Sequence, residues 1–131
     1  LKIKYLDYED IIEINKRVLR SLPVKKSDRH KVLSLVAIMD ISNECRAVEG
    51  DVWDKAVYLL KELVKKHPFA SANRRTAMES AILFLGSNRQ KIGVRNIKGK
   101  DGVLQGIRED HYSRTEIRDW LMRGEIRDFN R

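Results

Sequence analysis

A histidine at position 67, an amide at 73 and arginines at 74 and 75 stand within one run, HPFASANRRTA, from His67 to Ala77. Imidazole is the side chain whose ordinary pKa lies nearest neutral pH, so His67 is a candidate general base. Arg74 and Arg75 are fixed cations whose forked N–H donors match phosphate oxygens, and Asn73 adds an amide donor. Ala70, Ser71 and Ala72 are small enough to let a ligand approach the backbone. These residue types at this spacing predict a phosphate cradle beside a titratable base.

The flanking elements must hold that arrangement. Pro68 disfavours the α conformation for the residue before it, so the preceding helix should end at His67. A tight loop follows, with Phe69 as the apolar anchor pinning it to the core. The next helix should begin near Ala72 or Asn73, and its entrance offers unpaired N–H groups and about half a positive charge to an anion. Ala81 to Leu85 is continuously apolar, which calls for burial on nearly all sides.

Helical punctuation recurs elsewhere. Asp7 and Asp10 predict a helix to about Leu19, with Ile11, Ile14, Val18 and Leu19 as its apolar stripe. After Pro23, a cap at Ser27 or Asp28 would open a second helix, in which Val32, Leu35, Val36 and Met39 recur at helical spacing. ISNECRAVEG, Ile41 to Gly50, reads as a connection. Asp51 and Asp54 cap a third helix, VWDKAVYLLKELVKK, whose stripe includes Trp53, Val57, Leu60 and Val64. The glycines at 93, 99 and 102 predict a long loop, with a short helix from Val103 to Glu109. SRTE, Ser113 to Glu116, is a capping box for a last helix that Gly124 would stop. Apart from LKIKYL at the start, no stretch alternates like a strand. The expected class is all-α: a helical bundle around a central buried helix beginning near Asn73, as a single domain over residues 1–131.

Composition bounds the rest. The 27 lysines and arginines exceed the 19 acids for a net charge of +8, which favours anionic ligands or an acidic partner. Nucleic acid is not an expected partner, because charge alone suggests it and no reader motif accompanies it. No run approaches the ~20 apolar residues of a membrane span, and no secretory signal is legible. Cys45 is the one cysteine, so a cysteine metal cluster is excluded and a reducing cytoplasm is the expected setting. His30 and His111 lack partners at ligand spacing and read as surface or structural residues; Trp53 and Trp120 read as core.

HPFASANRRTA resembles the signature of the Fic/Doc family, whose Fic branch reads H-x-F-x-(D/E)-G-N-(G/K)-R. The opening YLDYEDIIEINKRVL, the flanking AVYLLKELVKK and AMESAILFLGSN, and the closing YSRTEIRDWLMRG are similar to the family as well, so the resemblance covers most of the chain. Ala72 and Arg74 stand where Fic enzymes have glycines, which points to the Doc (death-on-curing) toxin branch. The resemblance implies a helical transferase that moves a phosphoryl or nucleotidyl group from ATP or another nucleoside triphosphate onto a protein hydroxyl. Doc itself is a kinase of elongation factor Tu. His67 would be the general base, while Ser71, Ala72, Asn73, Arg74 and Arg75 would line the phosphates. A translation factor such as elongation factor Tu is the implied kind of target, and a small antitoxin protein the implied partner. Oligomeric state stays open.

The chain departs from the family pattern at three places. Ser71 occupies the position of the family's carboxylate, a weaker ligand for a hard dication. Whether Mg2+ is held by another acid (Glu49, Asp51 and Asp54 are upstream candidates) or mainly by nucleotide phosphates stays open. Met78 stands where AMP-transferring members carry a further arginine. CRAVEG, Cys45 to Gly50, nearly matches the Fic inhibitory pattern (S/T)-x-x-x-E-(G/N), but Gly50 reads as a turn before the Asp51 cap. Ser71 also supports an alternative: a catalytically impaired Fic-fold module that binds phosphate or a partner without turnover.

Overall fold

A computed structural model of the chain describes residues 2–21, 29–95 and 97–130, with residues 97–100 defined by backbone alone. The described residues form α-helices and no strands: α1 (Tyr8–Ser21), α2 (Leu35–Ala47), α3 (Val52–Lys66), α4 (Asn73–Ser87), α5 (Ile97–Arg108) and α6 (Arg114–Arg123). Residues 2–7 form no strand. No described helix is long and apolar enough to cross a membrane.

Local caps set most of these boundaries. Asp7 and Asp10 each accept the other's backbone N–H at 2.9 Å, opening α1. Asp51 with Asp54, and Ser113 with Glu116, form the expected capping boxes on α3 and α6. Gly124 ends α6 in the left-handed conformation. At Gly50, φ is +121°, and a Cβ there would lie 2.1 Å from the Asp54 carboxylate, so the turn before the cap requires glycine.

Two expected elements differ from what forms. Val32 is not on a helix, and Leu35, Val36 and Met39 face solvent. The side chain of Ser34 caps α2 instead, and its inner face is Ile38, Ile41, Ser42 and Cys45, so most of the expected connection is helix. The break at Pro23 and the cap at Ser27 or Asp28 lie outside the described residues. Helix α5 likewise starts at Ile97, well before Val103. A Cβ at Gly102 would meet nothing within 4 Å, so that glycine marks no loop.

The centre is α3 packed along α4, with α2, α5 and α6 also on α3 and α1 on α4. Phe69, Ala77, Met78, Ala81, Phe84 and Leu85 line this seam at 1% exposure or less. Burying phenylalanine side chains such as these contributes about 2–3 kcal/mol each. Burial does not surround α4: Leu83 stays 39% exposed. Lys55, on the buried side of α3, donates to the carbonyls of Cys45, Arg46 and Val48, closing the C-terminus of α2.

Candidate active site

His67 and Ala72 bracket the loop between α3 and α4, and both adopt left-handed backbone, with φ of 51° and 62°. His67 thus ends α3 as expected, through a sharp reversal that an L side chain makes at a cost of about 1–2 kcal/mol. Strain of this kind collects where surrounding contacts over-determine a conformation. Those contacts are present. The Asn73 amide folds back on Phe69, accepting its N–H at 3.0 Å and donating to its carbonyl at 2.8 Å. Phe69 itself is fully buried, as an anchor should be.

A strap formed by residues 31–34 holds the outer side. The Pro68 carbonyl accepts the N–H of Leu33 at 2.8 Å, Ala70 N–H donates to the Lys31 carbonyl at 3.0 Å, and Val32 bridges Phe69. From below, the buried Asn15 of α1 donates to the Ser71 carbonyl at 3.0 Å and to the Thr76 hydroxyl at 2.9 Å. With its NH2 so used, its Oδ1 faces His30 Nδ1 at 2.7 Å, so His30 carries its proton on Nδ1. His30 is therefore structural, as expected, and so is His111, stacked on Phe129. None of these ties is local in sequence, and Asn15, His30 and Thr76 carry no motif that would have announced them.

At the entrance of α4, Ala72 stands at the N-cap and supplies no side-chain cap of its own. Asn73 contributes to this entrance differently from the expectation. Because its amide is closed on Phe69, it shapes the loop. The expected pair of arginines is also split. Arg74 reaches α5 and donates to Gln105 Oε1 at 2.8 Å. Arg75, about 100° further round the helix, pairs with Glu79 at 3.2 Å and lines a groove with Ile14, Arg17 and Val18 of α1. Only Arg74 of the two influences the imidazole: burial first, then Arg108 and Arg74, lower the His67 pKa below its ordinary 6.5. Arg108, in the last turn of α5, was not singled out by the sequence, since only tertiary folding brings it beside His67.

The upstream acids do not replace the missing carboxylate. Asp51 and Asp54 pair with Arg118 at 2.6 and 3.0 Å at the other end of α3. The 15 residues of α3 put about 22 Å between that end and His67. Glu49 lies with them, lining a 420 Å³ cleft against α6, so CRAVEG is the end of α2 and its turn. Met78 is buried at 1% exposure. Among the described residues no three His, Cys, Asp or Glu side chains converge as metal ligands. The loop residues therefore do not fit a protein-held magnesium ion.

The arrangement can take a proton at His67, in an exposed position, while α4's entrance and Arg74 attract anionic oxygens. Cys45 stays out of such chemistry: burial raises its thiol to about 11. A family model, that of the Fic/DOC family, matches residues 5–85, from the segment before α1 to the last turn of α4. No curated protein matches the chain significantly.

Proposed function

The chain belongs to the Fic/DOC family, and from that premise we propose that it is a Doc-type enzyme modifying a protein hydroxyl. Family members transfer nucleotidyl or phosphoryl groups from nucleoside triphosphates to proteins. In this reading, ATP or a related nucleotide lays its phosphates on the N–H groups of α4 and on Arg74. His67 accepts the proton of the target hydroxyl as its oxygen attacks phosphorus. The new O–P bond forms as the bridging P–O bond breaks, releasing the nucleoside diphosphate or pyrophosphate. Arg74 and the helix entrance then offset charge gathering on the phosphoryl oxygens, where this reaction needs most help. With no carboxylate in the loop, any dication would be held by the nucleotide's own phosphates.

The observation that carries the reading is His67 at the exit of α3, its imidazole pKa lowered by burial, Arg108 and Arg74, with the loop leading directly to the entrance of α4. A target of the translation-factor kind, such as elongation factor Tu, and a small antitoxin partner follow from the Doc-type assignment. Purified protein is given ATP labelled at the terminal or the α phosphate, with candidate targets. One label should move to protein, and His67→Ala should reduce the transfer by at least 10²-fold, the usual worth of a general base. No transfer of either label, or an unaffected His67→Ala, would sink the enzymatic reading.

Ser71 favours a second reading, a module that binds nucleotide or partner without turnover. Calorimetry showing nucleotide binding without transfer would support it. Ser71→Asp would then be informative, since a large gain in transfer would identify the missing carboxylate as the defect.

A further inference from the structure

We propose that Arg108 is the second phosphate-holding cation of this site, forming with Arg74 a two-armed clamp from α5 and α4 for a nucleotide's polyphosphate chain. The proposal rests on the transferase reading above for the identity of the ligand, and on separate geometry for the residue. It also lies outside residues 5–85, the span matched by the family model.

Two ties fix where the end of α5 lies. Gln105 accepts from Arg74 at 2.8 Å, fastening α5 to the first turn of α4. Asp110, just past α5, takes the ammonium of Lys65 at 2.5 Å, fastening the same end to the last turn of α3. His67 leaves α3 two residues after Lys65, so both ties border the same small region. Arg108 falls between them in sequence. It stands three residues from Gln105, on the same helix face.

The neighbouring acids are engaged elsewhere. Glu109 binds the Gln105 amide and the His111 ring, while Asp110 is held by Lys65. Arg108 is exposed, and among the described residues it donates no hydrogen bond and pairs with no carboxylate. Arg75 is exposed too, but it is paired with Glu79 and turned to α1. A guanidinium left with its full set of donors, beside a second one and a helix entrance, suits a ligand with several anionic oxygens. The imidazole registers the same placement, because Arg108 is the larger of the two cationic influences on His67.

The test uses inorganic tripolyphosphate and ATP as probes on the full chain, with binding read by calorimetry and the His67 ring titrated by NMR. Arg108→Gln should weaken tripolyphosphate binding roughly 10-fold or more, the worth of one charge-assisted contact. Arg108→Lys should recover part of that loss, since it keeps charge without the fork. In the free protein, Arg108→Gln should also move the His67 titration up towards its ordinary value. Arg123→Gln, whose parent side chain pairs with Asp119 on α6, should bind like the parent. Parent-like binding by Arg108→Gln, or no tripolyphosphate binding by the parent, would overturn the proposal. Tight, Arg108-dependent ATP binding without transfer would instead sink the enzymatic reading and leave Arg108's role standing.

Discussion

As the proposed base, His67 would work only while its ring is neutral, and its surroundings favour that form. Burial, Arg108 and Arg74 all disfavour the imidazolium, so its pKa lies below 6.5. The transfer rate should therefore climb with pH through that lowered pKa and be level above 6.5, measured as initial rates of label transfer across buffers. An acid limb centred above 6.5 would contradict the placement. The same shift has a stability sign. In this window the unfolded chain binds more protons than the folded one, so the contribution is complete above 6.5 and fades as pH falls through the lowered value. His30, lowered by burial and then by Lys16, acts in the same direction. Ala72 offers a separate check. Its left-handed φ of 62° costs about 1–2 kcal/mol, while glycine adds about 0.4–1 kcal/mol of unfolded-state freedom. Ala72→Gly should thus gain about 0.5–1 kcal/mol in denaturant unfolding. His67 and Arg74 were legible in sequence because they share one short run. Arg108, Gln105 and Asn15 were not, because folding alone brings them to it.

At the scale of elements, what the chain announces locally is what was readable. The Asp51–Asp54 and Ser113–Glu116 boxes and Gly124 act over three or four residues, and each ends or begins a helix where expected. Helix α2 was misread because both its faces carry apolar residues. Leu35, Val36 and Met39 keep helical spacing yet face water, while Ile38 and Ile41 are buried at 2% exposure or less. Periodicity cannot choose between two such faces without the partner helix, here α3. Helix α5 was shortened by reading its glycines as breakers, although Gly102 has open space around it. Gly102→Ala should therefore stabilise the chain by roughly 0.5–1 kcal/mol, seen as a higher denaturant midpoint with an unchanged slope. A loss of stability would mean that α5 does not run through this position.

Across the whole molecule, the site loop depends on α1, the helix most distant from it in sequence. Asn15 is fully buried and serves the Ser71 carbonyl, the Thr76 hydroxyl and the His30 ring together. Asn15→Leu would remove a hydrogen-bond partner from each of these groups, most costly at the buried Thr76 hydroxyl, where an unpaired group costs about 1–3 kcal/mol. The expected result is a loss of at least 2 kcal/mol in chemical denaturation, together with weakened transfer. A variant as stable as the parent would show that the loop keeps its shape without that amide. The other end of this arrangement is the pair of 2.8 Å bonds joining Lys4 to Asn88. These ties span separations of 56, 61 and 84 residues, so they bear on how the protein comes into being. On the ribosome the first helix emerges with nothing to hold, and the ring at 67 follows into an unbraced turn. The braces from α1 close only once position 76 is free of the exit tunnel, so a nascent fragment shorter than that has the loop residues without their shape.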